Sequence, residues 1–385
     1  MTVVCYPADE TGCGKHRVIW PMQVLAAAGV DVRIEERGKR TLRMHTDENG
    51  AINKVELPED ADVLVLQRPA HHVLCRAVPL IRSMGVSVVV DVDDDLRNIH
   101  PENVAYRYLH PDRHRLELGD QGWSGTRAKA YAERLTQSRP YLHNWNNLDL
   151  ACREASLVTV STPRLLRHYA AHGRGVVIPN YLGEAYYGHE RVDSADLGWP
   201  ASIWSHPNDP AAVGSAVRRI LAQTGGQLTC FGDMTLDPPS VPREVHVSER
   251  FGLARKQVRN GGQAELEQWP ALIAKLGIAV VPLADSTFNQ SKSWLKGEEC
   301  AAVGVPFVAS PRAEYRRLHQ LGAGVLAASS GDWYAALRTL TRSPAYRQEL
   351  SEAGRAVAET LRLRDNAWRW AEAWDQARAN DRVRV

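Results

Sequence analysis

Short runs of β-branched and other apolar residues, separated by helix-like segments, constrain the fold of this chain more than any other feature. In the first half of the chain these runs cover residues 63–67, 86–92, 157–161 and 176–179. Because the runs are apolar without interruption, they are typical of strands that are buried on both faces. Their alternation with helix-like segments predicts βαβ units and a mostly parallel, doubly wound sheet.

The same alternation returns in the second half of the chain. After residues 181–200, which are rich in Tyr, Gly, His and acidic residues, apolar runs restart at Ile203 and recur at residues 228–231, 278–283, 306–310 and 324–327. We therefore expect two α/β domains of Rossmann-like type, residues 1–180 and residues 201–360, joined by a linker over residues 181–200.

Two local patterns refine this division. Residues 43–57 carry Asn49-Gly50 between alternating flanks, which predicts a β-hairpin inside the first domain. The tail is helix-like, and the spacing of Trp368, Trp370 and Trp374 leaves two of these rings on one face. We expect residues 361–385 to form a helix that packs back on the first domain.

Composition excludes several classes of protein. The 385 residues predict about two to three domains, and 47 basic against 45 acidic residues leave a formal charge of only +2. That balance gives no support to a polycationic surface for nucleic acid or membranes. The six cysteines have no zinc-like or disulfide-like spacing, and no run of 18 apolar residues occurs. We expect a cytoplasmic protein with free thiols and no membrane span.

Two parallel-sheet domains joined by one linker leave a cleft between the carboxyl ends of their strands, where open α/β sheets bind ligands. Residues 285–310 are the most informative segment for this cleft, because their sequence predicts the end of a strand, a loop, a helix and the next strand. The helix is predicted to begin near Ser291 and to run to Ala302. Its start would present Ser291, Lys292 and Ser293 to the cleft, which suits a diphosphate. Glu298 or Glu299 could then reach a ribose; the alternative is a capped helix with solvated charges.

At these residues the sequence resembles a known family. The stretch EECAAVGVPFVAS looks like the nucleotide-sugar site of GT-B glycosyltransferases of the family 4 type, whose pattern is a Glu, seven residues, a second Glu, then a helix of small residues and G-x-P-V-V-A-S. The resemblance places Glu299 at the second Glu, which holds the donor ribose, and Ser291 at the first. The F-N-x-x-K-S form around Phe288 and Asn289 is similar to a variant in bacterial and phage relatives, where Lys292 and Ser293 would meet the phosphates.

Other segments extend the resemblance over most of the chain. Residues 196–209 are similar to the G-W-x-G-S-x-x-H-x-x-D opening of the second domain in those relatives, which would place Ser205 and His206 at the cleft. Gly232 and Asp233 match a strand that ends in a G-D turn, and residues 177–180 match the I-P-N that precedes the linker. The resemblance implies a GT-B fold, in which two doubly wound Rossmann-like domains face a central cleft.

The first domain offers two candidate segments. Gly12 and Gly14 lie in a loop between a strand and a helix, which is either a plain βα turn or a ligand loop; the resemblance favours donor phosphates or acceptor. The DVDDD sequence that ends at Asp95 could hold a divalent metal ion, as in GT-A enzymes. Aligned by its strand, it instead places Asp93 near the position of an active-site His of the family.

Clustered carboxylates should raise at least one pKa, so that Asp93 or Asp94 would serve as a base or a hydrogen-bond partner of the acceptor hydroxyl. The alternative is that these carboxylates are solvated or cap a helix. The pair His110 and His114 and the pair His71 and His72 are interpreted as surface residues. The aromatic and Arg-rich residues 106–115 and 141–145 could line an acceptor groove or could equally be domain surface.

The leading hypothesis is a hexosyltransferase-like enzyme that moves a sugar from a nucleotide diphosphate sugar to an acceptor hydroxyl, with retention by resemblance to the family. The catalytic candidates are Asp93, Asp94 and Lys292. The donor-binding candidates are Gly12, Gly14, Ser205, His206, Gly232, Asp233, Ser291, Ser293 and Glu299. We expect no metal ion and no cofactor besides the donor substrate.

The acceptor stays open among a glycan, a small molecule, a protein and a modified DNA base, and the chain could be a monomer or a dimer. A glycosyltransferase acting on a hydroxylated DNA base would need a basic groove, for which the candidates are Arg76, Arg107, Arg113, Arg115 and Arg127. A catalytically silent GT-B protein that binds a nucleotide sugar is the third hypothesis, and Ser291 in place of the first Glu supports it.

Overall fold

The computed structural model describes residues 1–35, 41–103, 105–106, 145–237 and 243–383. The strands of its first half are β1 (Val3–Tyr6), β2 (Val32–Ile34), β3 (Arg43–Thr46), β4 (Ile52–Glu56), β5 (Val63–Gln67), β6 (Ser87–Val92), β7 (Leu157–Val160) and β8 (Gly175–Val177). Those of its second half are β9 (Leu197–Trp199), β10 (Leu228–Cys230), β11 (Thr235–Leu236), β12 (Val245–His246), β13 (Val258–Asn260), β14 (Ile278–Val281), β15 (Phe307–Ala309) and β16 (Val325–Leu326).

The helices among the described residues follow the expected alternation with the strands. They are α1 (Gly12–Gly14), α2 (Trp20–Ala27), α3 (His72–Ser83), α4 (Trp145–Glu154), α5 (Pro163–Tyr169), α6 (Gly214–Thr224), α7 (Val247–Arg250), α8 (Trp269–Ile273), α9 (Leu295–Val303), α10 (Ala313–Gln320), α11 (Ser330–Arg342), α12 (Pro344–Thr360), α13 (Leu363–Asn366) and α14 (Trp368–Arg382). A π-helical turn over Lys15–Ile19 joins α1 to α2. No helix in the described part of the chain is long and apolar enough to cross a membrane.

Two parallel six-stranded sheets organise the molecule. The first has the order β2-β1-β5-β6-β7-β8, and the second has the order β13-β10-β9-β14-β15-β16. Every neighbouring pair within them is parallel, with, for example, Val65 opposite Val89 and Val280 opposite Val308. The expected doubly wound α/β architecture is therefore confirmed. The strand order reverses between β1 and β5 in one sheet and between β9 and β14 in the other, and such points create ligand crevices.

The predicted hairpin is also present. Strands β3 and β4 pair antiparallel, with Arg43 opposite Glu56. Gly50 lies in the connecting turn with a φ of 78°, a conformation that glycine adopts without strain.

Two expectations about element boundaries are wrong. The helix predicted from Ser291 begins at Leu295, because Asn289–Ser291 forms a separate 3₁₀ turn and Lys292 is extended. The second sheet also begins before Ile203, since Leu197–Trp199 is its central strand β9 and lies inside the segment interpreted as a linker. A strand of three residues with a glycine at its centre gives little apolar signal. Gly198 is needed there because a Cβ would come within 2.2 Å of the Leu276 side chain.

One apolar cluster connects the two sheets. It contains residues of the first sheet, of the second sheet, of the segment that joins them and of the C-terminal helices, among them Val65, Ala279, Tyr186 and Trp370. Helix α14 packs against β6 and β7 of the first sheet. On this helix Trp370 and Trp374 are buried, whereas the Trp368 side chain is 46% exposed. The end of the chain therefore packs against the first domain.

Candidate functional site

The loops that follow the strands of the two sheets meet across a cleft. The loop after β6 lies against residues 291–292, and the Thr162 hydroxyl after β7 donates to the Ser291 carbonyl oxygen at 3.1 Å. At the other end of the cleft the Asn103 amide donates to the Ser205 carbonyl oxygen at 3.0 Å. Because all strands in each sheet are parallel, these loops are at the carboxyl ends, where the sequence places the site.

The carboxylates of the DVDDD segment point to different partners and do not form one cluster. Asp91 is in β6 and is buried against Arg17, whereas Asp94 binds the Lys292 ammonium at 2.8 Å. The Asp95 carboxylate accepts from the Asn98 amide at 2.9 Å. Among the described residues no group of three or more His, Cys, Asp or Glu side chains is arranged to hold a metal ion.

The expectation that crowding raises a carboxyl pKa is wrong for Asp93. Burial alone would raise the pKa of this carboxyl, but the charges of Arg17 and Lys292 and a hydrogen bond from Ser161 hold it below its ordinary value. Asp93 is therefore ionised at neutral pH, stabilised by neighbouring cations that the local sequence does not reveal.

A buried arginine, Arg17, binds the neighbouring carboxylate of Asp91. Arg17 lies on the π-helical turn, is fully buried, and binds both oxygens of Asp91, with an Nη2–Oδ2 distance of 2.8 Å. Thr159 of β7 donates to the same Asp91 carboxylate at 2.7 Å. Arg17 Nη1 donates to the Asn180 side-chain oxygen at 3.1 Å. Such a bidentate, fully paired arginine fixes the positions of everything bonded to it.

Asn180 connects the two domains within the cleft. Its amide nitrogen lies 3.4 Å from Asp93 Oδ1 and 3.1 Å from the Ser293 hydroxyl oxygen. Together with the pair between Asp94 and Lys292, this brings the predicted catalytic residues and Ser293 into one region. Burial would lower the pKa of Lys292, but Asp94 raises it above its ordinary value, so the ammonium stays charged. The Lys292 ammonium also lies 4.5 Å from the centre of the Phe288 ring.

The glycine loop of the first domain is built around Asp9. One oxygen of this carboxylate accepts from the backbone N–H of Thr11 at 2.9 Å and of Gly14 at 3.0 Å, and the other pairs with Arg68. A Cβ on Gly14 would lie 1.7 Å from the Asp9 carbonyl oxygen, whereas a Cβ on Gly12 would have nothing within 4 Å. Gly14 is therefore required by a close approach of the backbone, and Gly12 is not.

Arg68 follows β5 at the point where the first sheet reverses its order. Its φ is 45°, which is unusual for a residue with a side chain, and its buried Nε has no hydrogen-bond partner among the described residues. Backbone strain of this kind concentrates at functional sites. The charge of Arg68 also helps to keep Asp93 ionised.

Glu299, the predicted ribose ligand, is buried in a hydrogen-bonded group. Tyr186 donates its hydroxyl to Glu299 at 2.9 Å, Lys296 donates at 2.9 Å, and the Trp269 indole N–H lies at 3.4 Å. His16 Nε2 of the first domain lies 4.0 Å from the same carboxylate. Burial lowers the pKa of His16 to about 4, so this ring is neutral at pH 7.

The neighbouring Glu298 has a different environment. Both its oxygens are buried without a hydrogen-bond partner in the described structure. Burial and the charge of Glu299 raise the pKa of Glu298 well above its ordinary value. Of the two glutamates considered from the sequence, Glu299 is thus the one that lies among hydrogen-bonding groups, where a ligand hydroxyl could also bind.

Ser205 and His206 lie at the carboxyl end of β9, at the second sheet's reversal point. His206 Nδ1 is 2.6 Å from Asp209 Oδ2. The loop after β10 contributes Gly232, whose φ is 74°, and Asp233, whose carboxylate accepts from Gln263 at 3.1 Å. These four residues are on the second domain, as the sequence predicts for a donor side, although Asp233 is exposed.

His110, His114, Arg107, Arg113, Arg115, Arg127 and the 107–144 segment as a whole lie outside the described residues. The rings of His71 and His72 lie 5.0 Å apart with a tilt of 41° between their planes, and His72 is the first residue of helix α3.

Sequence inspection missed Arg17, Arg68 and Asn180 as parts of the site. Arg17 is a cation within an otherwise buried face of its helix, with His16 and Val18 also buried beside it, and that signal was available. Arg68 directly follows the buried strand β5, and Asn180 lies three residues after the end of the half-buried strand β8, so a search for polar residues near every strand end would have found both.

No protein-family model matches this chain, and no characterised protein matches it by sequence comparison. Solved structures do match its fold. Sucrose-phosphate synthase from Thermosynechococcus elongatus has a TM-score of 0.57 and 14% identity, with 98% of this chain and 99% of that chain covered. HepE from Anabaena, solved in complex with UDP, has a TM-score of 0.55 and 12% identity, with 97% and 99% covered.

A third similar structure is TarM, which has a TM-score of 0.53 and 10% identity, with 88% of this chain and 65% of that chain covered. These identities establish the fold alone. Together with the two parallel six-stranded sheets, they identify the fold as GT-B, as the sequence predicts.

Proposed function

We propose that this protein is a glycosyltransferase of the family 4 type, which moves a hexosyl group from a nucleotide diphosphate sugar to an acceptor hydroxyl with retention. One observation carries the proposal. Lys292 and Ser293 of the second domain face Asp93 and Asp94 of the first across the cleft of a GT-B fold. The Lys292 ammonium and the Ser293 hydroxyl, which would bind a leaving diphosphate, thus lie across the cleft from two carboxylates. These carboxylates, of Asp93 and Asp94, would bind an acceptor hydroxyl.

The similar structures support the choice of donor. HepE was solved with UDP, and with UDP and glucose, and TarM from S. aureus was solved with UDP among its ligands. We propose UDP or a related nucleoside diphosphate as the carrier for the present chain, held on the second domain by Ser205, His206, Gly232, Asp233, Lys292, Ser293 and Glu299.

The proposed chemistry rests on positioning and charge. When the bond between the anomeric carbon and the phosphate oxygen breaks, the diphosphate gains negative charge, which the Lys292 ammonium stabilises. Lys292 is paired with Asp94 in this structure, so the diphosphate takes over part of that pairing and frees the carboxylate. Asp94, beside Asp93, then takes the proton of the acceptor hydroxyl. The hydroxyl oxygen forms the new bond to the anomeric carbon on the face from which the diphosphate leaves, so that the configuration is retained.

The proposal uses no metal ion and no cofactor besides the donor. Its support is the distribution of the DVDDD carboxylates, since Asp91 binds Arg17, Asp94 binds Lys292 and Asp95 binds Asn98. Mg²⁺ is usually held by one or two carboxylates together with substrate phosphates and waters, and here each of these carboxylates is already bound by a protein group.

A thermal-shift screen of the whole protein with UDP, GDP, TDP, ADP and CMP, with and without Mg²⁺, tests the donor. A ligand that binds only the native state raises the melting temperature, by an amount equivalent to roughly 2.7 kcal/mol at 100 times its Kd. We expect a selective shift with one diphosphate, unchanged by Mg²⁺. A shift that appears only with Mg²⁺ would contradict the metal-independent mechanism, and no shift with any diphosphate would contradict the donor assignment.

The variant Lys292→Ala tests whether this lysine binds the diphosphate. We expect it to bind the selected diphosphate roughly 10- to 100-fold more weakly, because one charged hydrogen bond is lost, and to lose transfer activity. Lys275→Ala is the control, since Lys275 is an exposed lysine of the same domain. Equal binding by the two variants would show that Lys292 does not meet the phosphates.

A further inference from the structure

The loop that follows β6 extends from the first domain onto the second, and we call its residues 96–103 the strap. It begins with a 3₁₀ turn. The backbone N–H of Leu96 donates to the Tyr169 hydroxyl oxygen at 3.0 Å, and the Asn98 amide donates to the Asp95 carboxylate at 2.9 Å. These hydrogen bonds fix the start of the strap to the first domain.

The second half of the strap binds the loop after β9 of the second domain through two side chains. The Asn208 amide nitrogen lies 2.5 Å from His100 Nε2. The Asn103 amide donates to the Ser205 carbonyl oxygen at 3.0 Å. Because both pairs of atoms are in direct contact, no ligand can pass between the strap and this loop while the contacts hold.

An ion pair joins the strap to a different element of the second domain. Glu102 Oε2 lies 2.9 Å from Arg250 Nη2, and Arg250 is the last residue of α7. The Glu102 side chain is 9% exposed and the Arg250 side chain is 20% exposed. Solvent and salt screen a partly buried pair less than an exposed one. This pair should therefore contribute more than a typical surface pair to holding the strap on the second domain.

A small apolar contact completes the attachment. Ile99 of the strap and Tyr106, which follows it on the first domain, pack with Phe288 of the second domain in a buried cluster. This cluster has three buried members, far fewer than the clusters that form the cores of the two domains. Local opening at such a contact costs less free energy than the unfolding of either domain.

The strap forms one wall of a cavity of about 260 Å³ at the carboxyl ends of β9 and β14. The described residues that line this cavity from the first domain are His100 and Asn103, and both belong to the strap. Its other lining residues belong to the second domain and include Ser205 and His206, which the proposed function assigns to the donor. Movement of the strap would therefore open this cavity on its first-domain side.

We propose that the strap lifts from the second domain to let the donor nucleotide enter and leave this cavity, and that Glu102 and Arg250 are positioning residues that hold the strap in its closed position. The inference rests on the proposed function, because it places the donor in the cavity beneath the strap. Loops that close over a ligand in this way limit the rates at which the ligand binds and dissociates. The polar contacts of the strap with the second domain suit this movement, since water can replace them when the strap lifts.

Surface plasmon resonance with the immobilised whole protein, and with UDP, GDP, TDP and ADP as analytes, tests the inference. In Arg250→Gln and in Glu102→Gln the strap should be open for a larger fraction of the time, with and without the nucleotide. We expect the association and dissociation rate constants to rise together, by roughly 10-fold for the loss of one charged hydrogen bond, while Kd stays near the wild-type value. A contact in a fixed wall would instead change the dissociation rate alone and weaken binding.

Arg243→Gln is the matched control. It removes an ion pair that lies within the second domain beside Arg250, because Arg243 Nη2 lies 2.8 Å from Glu249 Oε2. Its rate constants should equal those of the wild type. The double variant Glu102→Gln/Arg250→Gln should be no faster than either single variant, because the second change acts on a pair that is already broken.

A second readout needs no nucleotide. Ile99→Cys places a thiol in the buried cluster with Phe288, where iodoacetamide reaches it when the strap lifts, and mass spectrometry of the peptide separates it from the six native cysteines. Adding Arg250→Gln should speed this alkylation roughly 10-fold, and adding Arg243→Gln should not change it. Equal alkylation in these two backgrounds, or faster dissociation without faster association, would overturn the inference and leave the donor assignment standing. Failure of the wild type to bind any of the four diphosphates would overturn both.

Discussion

At the scale of single residues, the backbone at Gly14 is the most restrictive position of the glycine loop. Gly14→Ala places a methyl group 1.7 Å from the Asp9 carbonyl oxygen, so the loop must shift and its hydrogen bonds to Asp9 must lengthen. We expect unfolding free energy to fall by about 1–3 kcal/mol, as in other overpacked sites. Chemical denaturation measures the change.

Gly12→Ala provides the comparison for this prediction. It changes the same residue type two positions earlier, where a Cβ meets nothing within 4 Å. Its stability should stay close to that of the wild type. If both variants lose the same stability, the cause is backbone freedom in general and not the contact with Asp9.

The sequence predicts residue types better than residue environments. Asp93, Asp94, Lys292 and Ser293 do meet in the cleft, because each follows a strand or a loop that the apolar pattern locates. The lowered pKa of Asp93 was not predictable in the same way, since it depends on Arg17, which is distant in sequence. Partners that are distant in sequence depend on how the helices and sheets pack, so the local sequence around Asp93 does not predict them.

At the scale of elements, one carboxylate on helix α14 binds three residues of the first domain. Asp381 Oδ1 accepts from Arg82 Nε at 3.0 Å, and Oδ2 accepts from the hydroxyls of Ser87 at 2.8 Å and Ser156 at 2.6 Å. Asp381→Asn should lower the unfolding free energy by about 1–2 kcal/mol, a value reduced for partial exposure. Asp375→Asn on an exposed position of the same helix should not.

The effect should also depend on pH. Burial would raise the pKa of Asp381, but Arg82, Ser156 and Ser87 lower it below its ordinary value. A carboxyl with a lowered native pKa stabilises the fold above its unfolded pKa and loses that contribution as the pH falls through the native one. The difference between the wild type and Asp381→Asn should therefore be full at pH 7 and shrink below about pH 4. A constant difference would mean that packing, not charge, is lost.

The boundaries of helices and strands are predicted less well by the sequence than the buried strands themselves. The apolar runs predicted β5, β6, β7 and β14 because each is buried along its whole length. The predicted start of α9 is too early, since Lys292 and Ser293 suit a helix start by residue type but are held outside the helix by Asp94 and Asn180. Tertiary contacts override local preference at such a position, and that position is part of the candidate site.

At the scale of the whole molecule, the shared apolar cluster should make the two domains unfold together. Trp370 lies within it, donates its indole N–H to the Arg17 carbonyl oxygen at 3.0 Å and packs against Tyr181 at 6.1 Å between ring centres. Trp370→Ala should cost about 3–5 kcal/mol. We expect scanning calorimetry to resolve two transitions in this variant and one in the wild type.

Trp368→Ala is the control for this experiment. The same helix carries Trp368, but its ring is largely outside the cluster, with 46% of the residue exposed. This variant should show one transition near the wild-type temperature. Two transitions in the wild type itself would contradict the cooperative unit and would mean that the cluster adds stability without coupling the domains.

Three tyrosines of the segment that follows the first sheet join the two halves of the molecule. Tyr181 packs on Trp370, Tyr186 donates to Glu299, and the Tyr187 hydroxyl donates to the Ala358 carbonyl oxygen at 3.0 Å. Separation of the two halves beside these tyrosines would expose the buried rings of Tyr181 and Tyr186, whereas separation where Asn103 meets Ser205 would break a polar contact. We therefore expect any opening of the cleft to begin at the end that carries Asn103 and Ser205 rather than beside the tyrosines.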